Sequence, residues 1–206
     1  MKKISALAPF AASIVAPAVS ASAATVQLDA RAFNGADWTF TYGGTLAPTE
    51  GVLNGSRLVI LDFAGYVAGS IASALPTITA TIEMSSVALG YLPGITDDPN
   101  LPNLVFTYNG DPFQVSPAPV GAPYTPIDFT GLTARTTLGA VTTDGFAAYT
   151  VKNTPGMTNG STVYATGSLG VPAAVPEPAT WAMMVFGLGV AGYSMRRRSK
   201  FVQSFS

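Results

Sequence analysis

The chain alternates apolar and polar residues over several short stretches, which is the pattern of half-buried β-strands. "ADWTFTYGG" at residues 36–44 alternates aromatic residues with threonine, and "TITATIEM" at residues 77–84 alternates mostly aliphatic residues with threonine. "RLVILDF" at residues 57–63 is apolar on both faces, which predicts a central strand. Three further strands are predicted for "NLVFTY" (103–108), "FAAYTV" (146–151) and "STVYATG" (161–167).

Turn signals separate these stretches, whereas no long segment shows the 3.6-residue period of an amphipathic helix. Asn-Gly and Asp-Gly pairs suit turns that need a positive φ. Proline-rich stretches at residues 91–103 and 110–129 read as surface loops between strands. We therefore expect residues 24–168 to form one antiparallel β-sandwich, jelly-roll-like in topology. The predicted turns begin at Asn34, Asn54, Asn109, Asp144 and Asn159.

The N-terminal segment is patterned as a secretory signal peptide. It opens with Lys2 and Lys3, continues with an alanine-rich apolar stretch, and ends at the small-residue site Ala21-Ser22-Ala23. This arrangement predicts a signal peptide over residues 1–23, with Ala21 and Ala23 directing cleavage before Ala24. The expected partners at this end are the Sec translocon and signal peptidase.

A second apolar stretch lies near the C-terminus. "ATWAMMVFGLGVAGYSM" at residues 179–195 has no charge, and Arg196, Arg197 and Arg198 follow it. As a helix it would measure about 25 Å, near the lower limit for crossing a bilayer. The pattern predicts a transmembrane helix over 179–195, with the arginines as membrane stop and residues 196–206 as a basic cytoplasmic tail. Residues 169–178 are predicted to be a proline-rich stalk.

The order of three features in this region resembles the PEP-CTERM sorting signal. Pro176, Glu177 and Pro178 come first, the apolar stretch with its glycines follows, and the arginines come last. The resemblance covers about residues 175–200 and says nothing about the preceding domain. It implies processing near Pro-Glu-Pro by exosortase, a membrane-embedded, cysteine transpeptidase-like enzyme. It also implies a protein that is exported, held transiently at the inner membrane, and then placed at the surface or in the matrix of a Gram-negative bacterium.

Charge and composition exclude several functional classes. Between residues 24 and 175 the sequence has four basic and ten acidic residues, a net charge of −6, which disfavours nucleic acid as a partner. The sequence contains no His and no Cys, so the usual general base, thiol nucleophile and thiolate metal sites are missing. Gly187, Gly189 and Gly192 match G-x-G-x-x-G, but no acidic residue follows Glu177 to bind a ribose. We expect no cofactor.

The remaining candidates for chemistry are carboxylates and aromatic rings. Asp97, Asp98 and Asn100 could offer oxygen ligands to calcium, although a solvated turn before Pro99 is the favoured role for Asp97 and Asp98. Pairs of carboxylates could hydrolyse glycosides, and aromatic rings could stack on sugars. The aromatic candidates are Trp38, Tyr42, Tyr66, Tyr91, Tyr108 and Tyr124, of which Tyr91 and Tyr124 lie beside the proline-rich loops and the others read as core residues.

Three functions follow from these observations. The first is a non-enzymatic surface or matrix protein that carries its sorting signal at the C-terminus. The second is a module that binds carbohydrate, with exopolysaccharide as its ligand. The third is a glycoside hydrolase that uses carboxylates alone, which requires two carboxyl groups about 5–10 Å apart in a groove.

Overall fold

The computed structural model describes residues 24–85, 95–154 and 161–173 and a helix at 178–201, whose side chains are described at 183–195. Residues 1–23, including Ala21 and Ala23 of the predicted cleavage site, lie outside the described residues. So do Tyr91 and the predicted turn at Asn159. The described elements are β1 (Thr25–Phe33), β2 (Trp38–Leu46), β3 (Glu50–Gly51), β4 (Arg57–Ile60), β5 (Ala72–Ser73), β6 (Ile78–Glu83), β7 (Asn103–Tyr108), β8 (Ile127–Thr136), β9 (Val141–Lys152), β10 (Thr162–Pro172) and α1 (Pro178–Phe201).

The strands form two sheets in which neighbouring strands run antiparallel. The first sheet has the order β1-β2-β8-β5, and the second has the order β10-β9-β4-β7-β6, with β3 paired to β9. The turn at Asn34 joins β1 to β2, where Asn34 Oδ1 accepts the N–H groups of Ala36 and Asp37, and Gly35 has φ +98°. The prediction of a mostly β, antiparallel protein is confirmed.

One hydrophobic core contains side chains from both sheets. Phe40 and Tyr42 of β2 and Leu132 of β8 belong to the first sheet, whereas Ile60 of β4 and Phe106 of β7 belong to the second. Phe40 and Tyr42 are fully buried while the neighbouring Thr39 and Thr41 are partly exposed, as the alternation predicted. The inward faces of the two sheets therefore bury their apolar residues against one another.

Strand β4 occupies the middle of the second sheet, as its two-sided apolar sequence predicted. Leu58 and Ile60 join the main core. Val59 and Leu61 point to the opposite face, where they form a second cluster with Val105 and Ala147. Ile95 packs on this second cluster and covers part of the outer face of the sheet.

Three features of the β region differ from the sequence-based expectation. Strand β8 begins at Ile127, inside the stretch predicted to be a loop. Asp144-Gly145 is not a turn, because both residues lie within β9 and pair with Leu169 and Ser168 of β10. Strand β10 continues to Pro172, beyond residue 169 where the stalk was predicted to begin, and its Val171 is fully buried. Pairing with neighbouring strands extends these strands past their local turn signals.

The C-terminal helix forms, but the predicted transmembrane helix over 179–195 requires correction. In the part of the chain that the structure describes, no helix combines the length and apolarity of a membrane span. Helix α1 runs from Pro178 to Phe201, and its apolar part is diluted by Gly187, Gly189 and Gly192 and followed by the arginine cluster. Its large apolar side chains between Met183 and Met195 are exposed.

Candidate functional site

A buried aspartate, Asp62, connects the end of β4 to a neighbouring loop. The Asp62 backbone lies in the left-handed region, with φ 54°, and the residue is 8% exposed. Its N–H donates to Asn103 Oδ1 at 2.9 Å, and its Oδ1 accepts the N–H of Asp98 at 3.0 Å. Asp62 thus fixes both the first residue of β7 and the loop that precedes it.

The loop contains the residues that the sequence offered as calcium ligands, and the structure places Asp97 and Asp98 near Asp62. Asp97 accepts hydrogen bonds from Asn103 Nδ2 at 2.8 Å and from Ser85 Oγ at 3.1 Å. Asp98 Oδ1 accepts both the N–H and the Nδ2 of Asn100, which forms the solvated turn. Within the described residues no group of three or more His, Cys, Asp or Glu side chains is placed to hold a metal ion. Calcium binding therefore stays a prediction without geometric support.

The environment of Asp62 favours its protonated form. Burial, the largest cause, raises the pKa of Asp62 from 3.8 to about 6, and the negative charges of Asp144 and Asp97 act in the same direction. The hydrogen bond from the Asp98 N–H opposes this rise. Asp62 and Asp144 are close enough to share a hydrogen bond, so a protonated Asp62 can donate to Asp144.

A polar groove of about 430 Å³ lies beside this pair and is lined by Thr96, Thr143, Asp144, Thr166 and Ser168 among others. Glycoside hydrolysis requires two carboxyl groups about 5–10 Å apart in a groove, whereas the lining of this groove includes Asp144 but not Asp62. The described lining therefore does not present the carboxyl pair of a glycosidase, and the hydrogen bond from the Asp98 N–H to Asp62 holds the loop against the sheet.

The raised pKa of Asp62 predicts a pH dependence of stability. Between about pH 4 and pH 6 the folded protein binds more protons than the unfolded chain, so stability falls as pH rises through this window. Asn can accept the Asp98 N–H, donate to Asp144, and tolerate a positive φ. We expect Asp62→Asn to raise the free energy of unfolding at pH 7.5 by about 1 kcal/mol, allowing for solvent screening, and to flatten the pH profile.

Urea denaturation of the wild type and of Asp62→Asn between pH 4 and pH 8 measures this change in the free energy of unfolding. The exposed Asp128, whose Oδ1 accepts from Thr45 Oγ1, provides the control variant Asp128→Asn. A wild-type profile that does not decline between pH 4 and pH 6 would contradict the assignment, as would an Asp62→Asn profile that declines as steeply as the wild type.

An apolar cleft of about 200 Å³ opens between the two sheets. Its walls include Val26 and Leu46 from the first sheet and Phe106 from the second, and Phe113 and Phe129 contribute further apolar surface. The lining carries few polar groups that could orient a ligand, so we assign no specific ligand to this cleft.

The aromatic residues named from the sequence are mostly not exposed. Tyr42 is fully buried and edge-on to Phe63, and burial raises its pKa. Tyr124 is half-buried rather than exposed. The others among the described residues, Trp38, Tyr66 and Tyr108, are half-buried as well.

An aromatic patch that the sequence did not single out lies on the outer face of the second sheet. Tyr164 of β10 is 53% exposed, and its ring meets that of Tyr149 edge-on at 5.0 Å. The guanidinium of Arg57 lies over the Tyr149 ring, 5.1 Å from its centroid. The pairing of β10, β9 and β4 places these residues side by side, because Tyr164 is opposite Tyr149 and Tyr149 is opposite Arg57. Strand alternation alone could have indicated that Tyr164 points outward.

Comparison with protein families gives one match. Residues 174–198 match the family model of the PEP-CTERM protein-sorting motif. The resemblance is thereby confirmed, together with its confinement to the C-terminal segment. Neither the search of curated proteins nor that of solved structures gives a match.

The matched segment begins two residues after the end of β10, so the motif follows directly on the β domain. Pro176 and Glu177 lie outside the described residues, and Pro178 is the first residue of α1, a position that suits proline. Arg196, Arg197 and Arg198 lie in the last part of this helix. The motif supports an exported bacterial protein that is sorted by exosortase, and it implies exosortase as the processing partner.

Proposed function

We propose that this chain is a surface or extracellular-matrix protein of a Gram-negative bacterium, with a non-enzymatic body. In this proposal residues 1–23 direct export through the Sec translocon and are removed by signal peptidase. The body is a jelly-roll-like β-sandwich, and exosortase processes the chain at Pro176-Glu177-Pro178 while it passes the inner membrane. The observation that carries the proposal is the match to the sorting motif at residues 174–198.

The absence of enzymatic activity is inferred from the side chains available. The sequence has no His and no Cys, so catalysis would depend on carboxylates, on hydroxyl groups or on Lys152. The carboxylate whose pKa is raised by burial, Asp62, accepts the N–H of Asp98 in the loop and lies near Asp144. These contacts are those of a structural group and argue against a role in hydrolysis.

Binding of exopolysaccharide is the second candidate function, and the patch of Tyr164, Tyr149 and Arg57 favours it. Exposed aromatic rings on the flat face of a sheet can stack on the apolar faces of sugar rings. The acidic net charge of the body makes a neutral or basic polysaccharide the better match.

The sorting proposal predicts where the protein accumulates. In a host with exosortase, we expect the intact chain to be processed and to reach the surface or the medium. A variant lacking residues 177–198 should lose this processing, because the Glu of Pro-Glu-Pro, the helix and the arginines are all removed. Fractionation with mass analysis of the product measures the change, and Pro119→Ala in the exposed loop provides a control with the motif intact.

Two outcomes would contradict these assignments. Unchanged processing and display of the deletion variant would contradict sorting through this segment. Sedimentation of the released wild-type protein with exopolysaccharide, abolished by Tyr164→Ala, would replace the first candidate for the body with the second.

A further inference from the structure

A glutamate lies fully buried at the start of β3, and its carboxylate is only partly hydrogen-bonded. Glu50 is 0% exposed. Its Oε2 accepts from Thr150 Oγ1 at 3.0 Å and from the backbone N of Ala24 at 3.2 Å. Its Oε1 is buried and has no hydrogen-bond partner among the described residues. One oxygen of a buried acid therefore lacks a donor, which is costly in a protein interior.

The described residues provide no positive charge to balance Glu50. The ion pairs among them are Arg57–Glu83 at 3.5 Å and Arg135–Asp37 at 3.2 Å, and neither includes Glu50. Lys152 lies opposite Glu50 in the β3–β9 ladder but forms no ion pair with it. A buried carboxylate without a cation is strongly destabilising, so a missing cation is the simplest account of this site.

The donor to Glu50 is the residue at which the mature chain is expected to begin. Ala24 is 7% exposed and follows the small-residue site Ala21-Ser22-Ala23. Hydrolysis of the Ala23–Ala24 peptide bond breaks the C–N bond, places the water oxygen on the Ala23 carboxyl, and leaves an amine on Ala24. The amine takes up a proton near neutral pH, which turns one N–H donor into a charged group with three.

We propose that removal of the signal peptide completes a buried ion pair between the Ala24 α-ammonium and the Glu50 carboxylate. This inference rests on the export part of the proposed function. The new ammonium lies beside Oε2, and its additional N–H groups can reach the unpartnered Oε1. Ala24 immediately precedes β1, so the pair anchors the start of this strand, and with it one edge of the first sheet, to β3 and β9. Cleavage thereby stabilises the exported form of the protein relative to its precursor.

The test compares two forms of the chain from Ala24 to Ser206. The chain is produced as a fusion protein and released by a protease that leaves no extra residue before Ala24. One form keeps the free α-amine, and the other is acetylated there, which removes the charge and two of the donors. We expect acetylation to lower Tm by about 5 °C or more, because it leaves the buried carboxylate without a cation. In Glu50→Gln the two forms should differ by less than about 1 °C, because no charge remains to be paired.

Controls separate the pairing from other causes. Lys152→Ala should leave the effect of acetylation unchanged, and a loss of the effect in that variant would assign the cation to Lys152 instead. If Glu50→Gln does not fold, the comparison of the free and acetylated wild-type chains still tests the proposed ion pair. Equal Tm for these two forms overturns the proposal.

The N-terminal sequence of the exported protein tests whether the signal peptide is removed before Ala24. A chain that begins at Ala24 supports the use of this site in the cell. A chain that begins elsewhere overturns the inference for the living cell while leaving sorting at the C-terminus unaffected. Failure of export itself would instead contradict the proposed function.

Discussion

Replacing Asn153 with Asp is expected to destabilise the protein by about 3 kcal/mol or more at neutral pH. Asn153 is 3% exposed and follows β9. Its Nδ2 donates to the carbonyl oxygens of Pro48, Glu50 and Gln114 at 3.1, 3.2 and 2.9 Å. One amide group thus joins three segments that are far apart in sequence: the turn before β3, β3 itself, and the loop after β7.

The change from Asn to Asp converts the donor to an acceptor while keeping the shape of the side chain. Ionised Asp offers no hydrogen to the three carbonyls, and it places a negative charge against their oxygens. A buried carbonyl left without a donor, as that of Glu50 would be, costs about 1–3 kcal/mol, and the unpaired charge adds to this. Acidification should restore part of the stability, since protonated Asp can donate one hydrogen bond.

Urea denaturation at pH 7 and pH 4.5 measures both effects. Asn109 provides the matched control, because its Nδ2 also donates to a carbonyl, that of Thr107, but at an exposed position. Asn109→Asp should cost less than about 1 kcal/mol. An Asn153→Asp variant as stable as this control would show that the three contacts do not hold the segments together.

The second large effect is expected from Phe63→Ala, which should lower the free energy of unfolding by about 4 kcal/mol. Phe63 is 0% exposed and lies just beyond β4, where its N–H donates to the Pro102 carbonyl at 2.8 Å. Its ring packs edge-on against Phe40, with centroids 5.8 Å apart, and against Tyr42 at 6.5 Å. Phe63 thereby joins the second sheet to the inward face of β2 in the first.

Truncation to alanine removes the ring and leaves a cavity that the surrounding strands can fill only in part. Phe63→Leu keeps most of the volume and should cost about half as much. The exposed Phe33 provides the control, since Phe33→Ala should change stability by less than about 1 kcal/mol. Thermal and chemical unfolding rank the three variants, and a Phe63→Ala variant no less stable than Phe33→Ala would refute a central role for this ring.

Much of the β architecture was predictable because strand periodicity is a local property. Residues 103–108 were predicted from "NLVFTY" and form β7 with those bounds. The buried positions Phe40 and Tyr42 follow from alternation with threonine. Strands β1 and β8 were not predicted, because their exposed faces carry mixed residues and the proline-rich stretch before β8 gives strong loop signals.

The Asp62 site was only partly predictable. The sequence indicated candidate calcium ligands at Asp97, Asp98 and Asn100 because acidic residues cluster there. Asp62 and Asp144 gave no such signal, since each is an isolated acid near or within an apolar strand. Their contact arises because β4 and β9 are neighbours in the second sheet, a pairing that no local pattern specifies.

The sequence by itself determined the alternating strands, the acidic and cysteine-free composition of the body, and the sorting motif at its C-terminal end. Each of these depends on residue types and on spacings of a few positions, which the chain carries without folding. Only the tertiary structure decided that Glu50 lies beside Ala24 and Thr150, that Asp62 lies beside Asp144, and that Asn153 joins three segments. These contacts join residues 26 to 105 positions apart, and the register and packing of the two sheets set them.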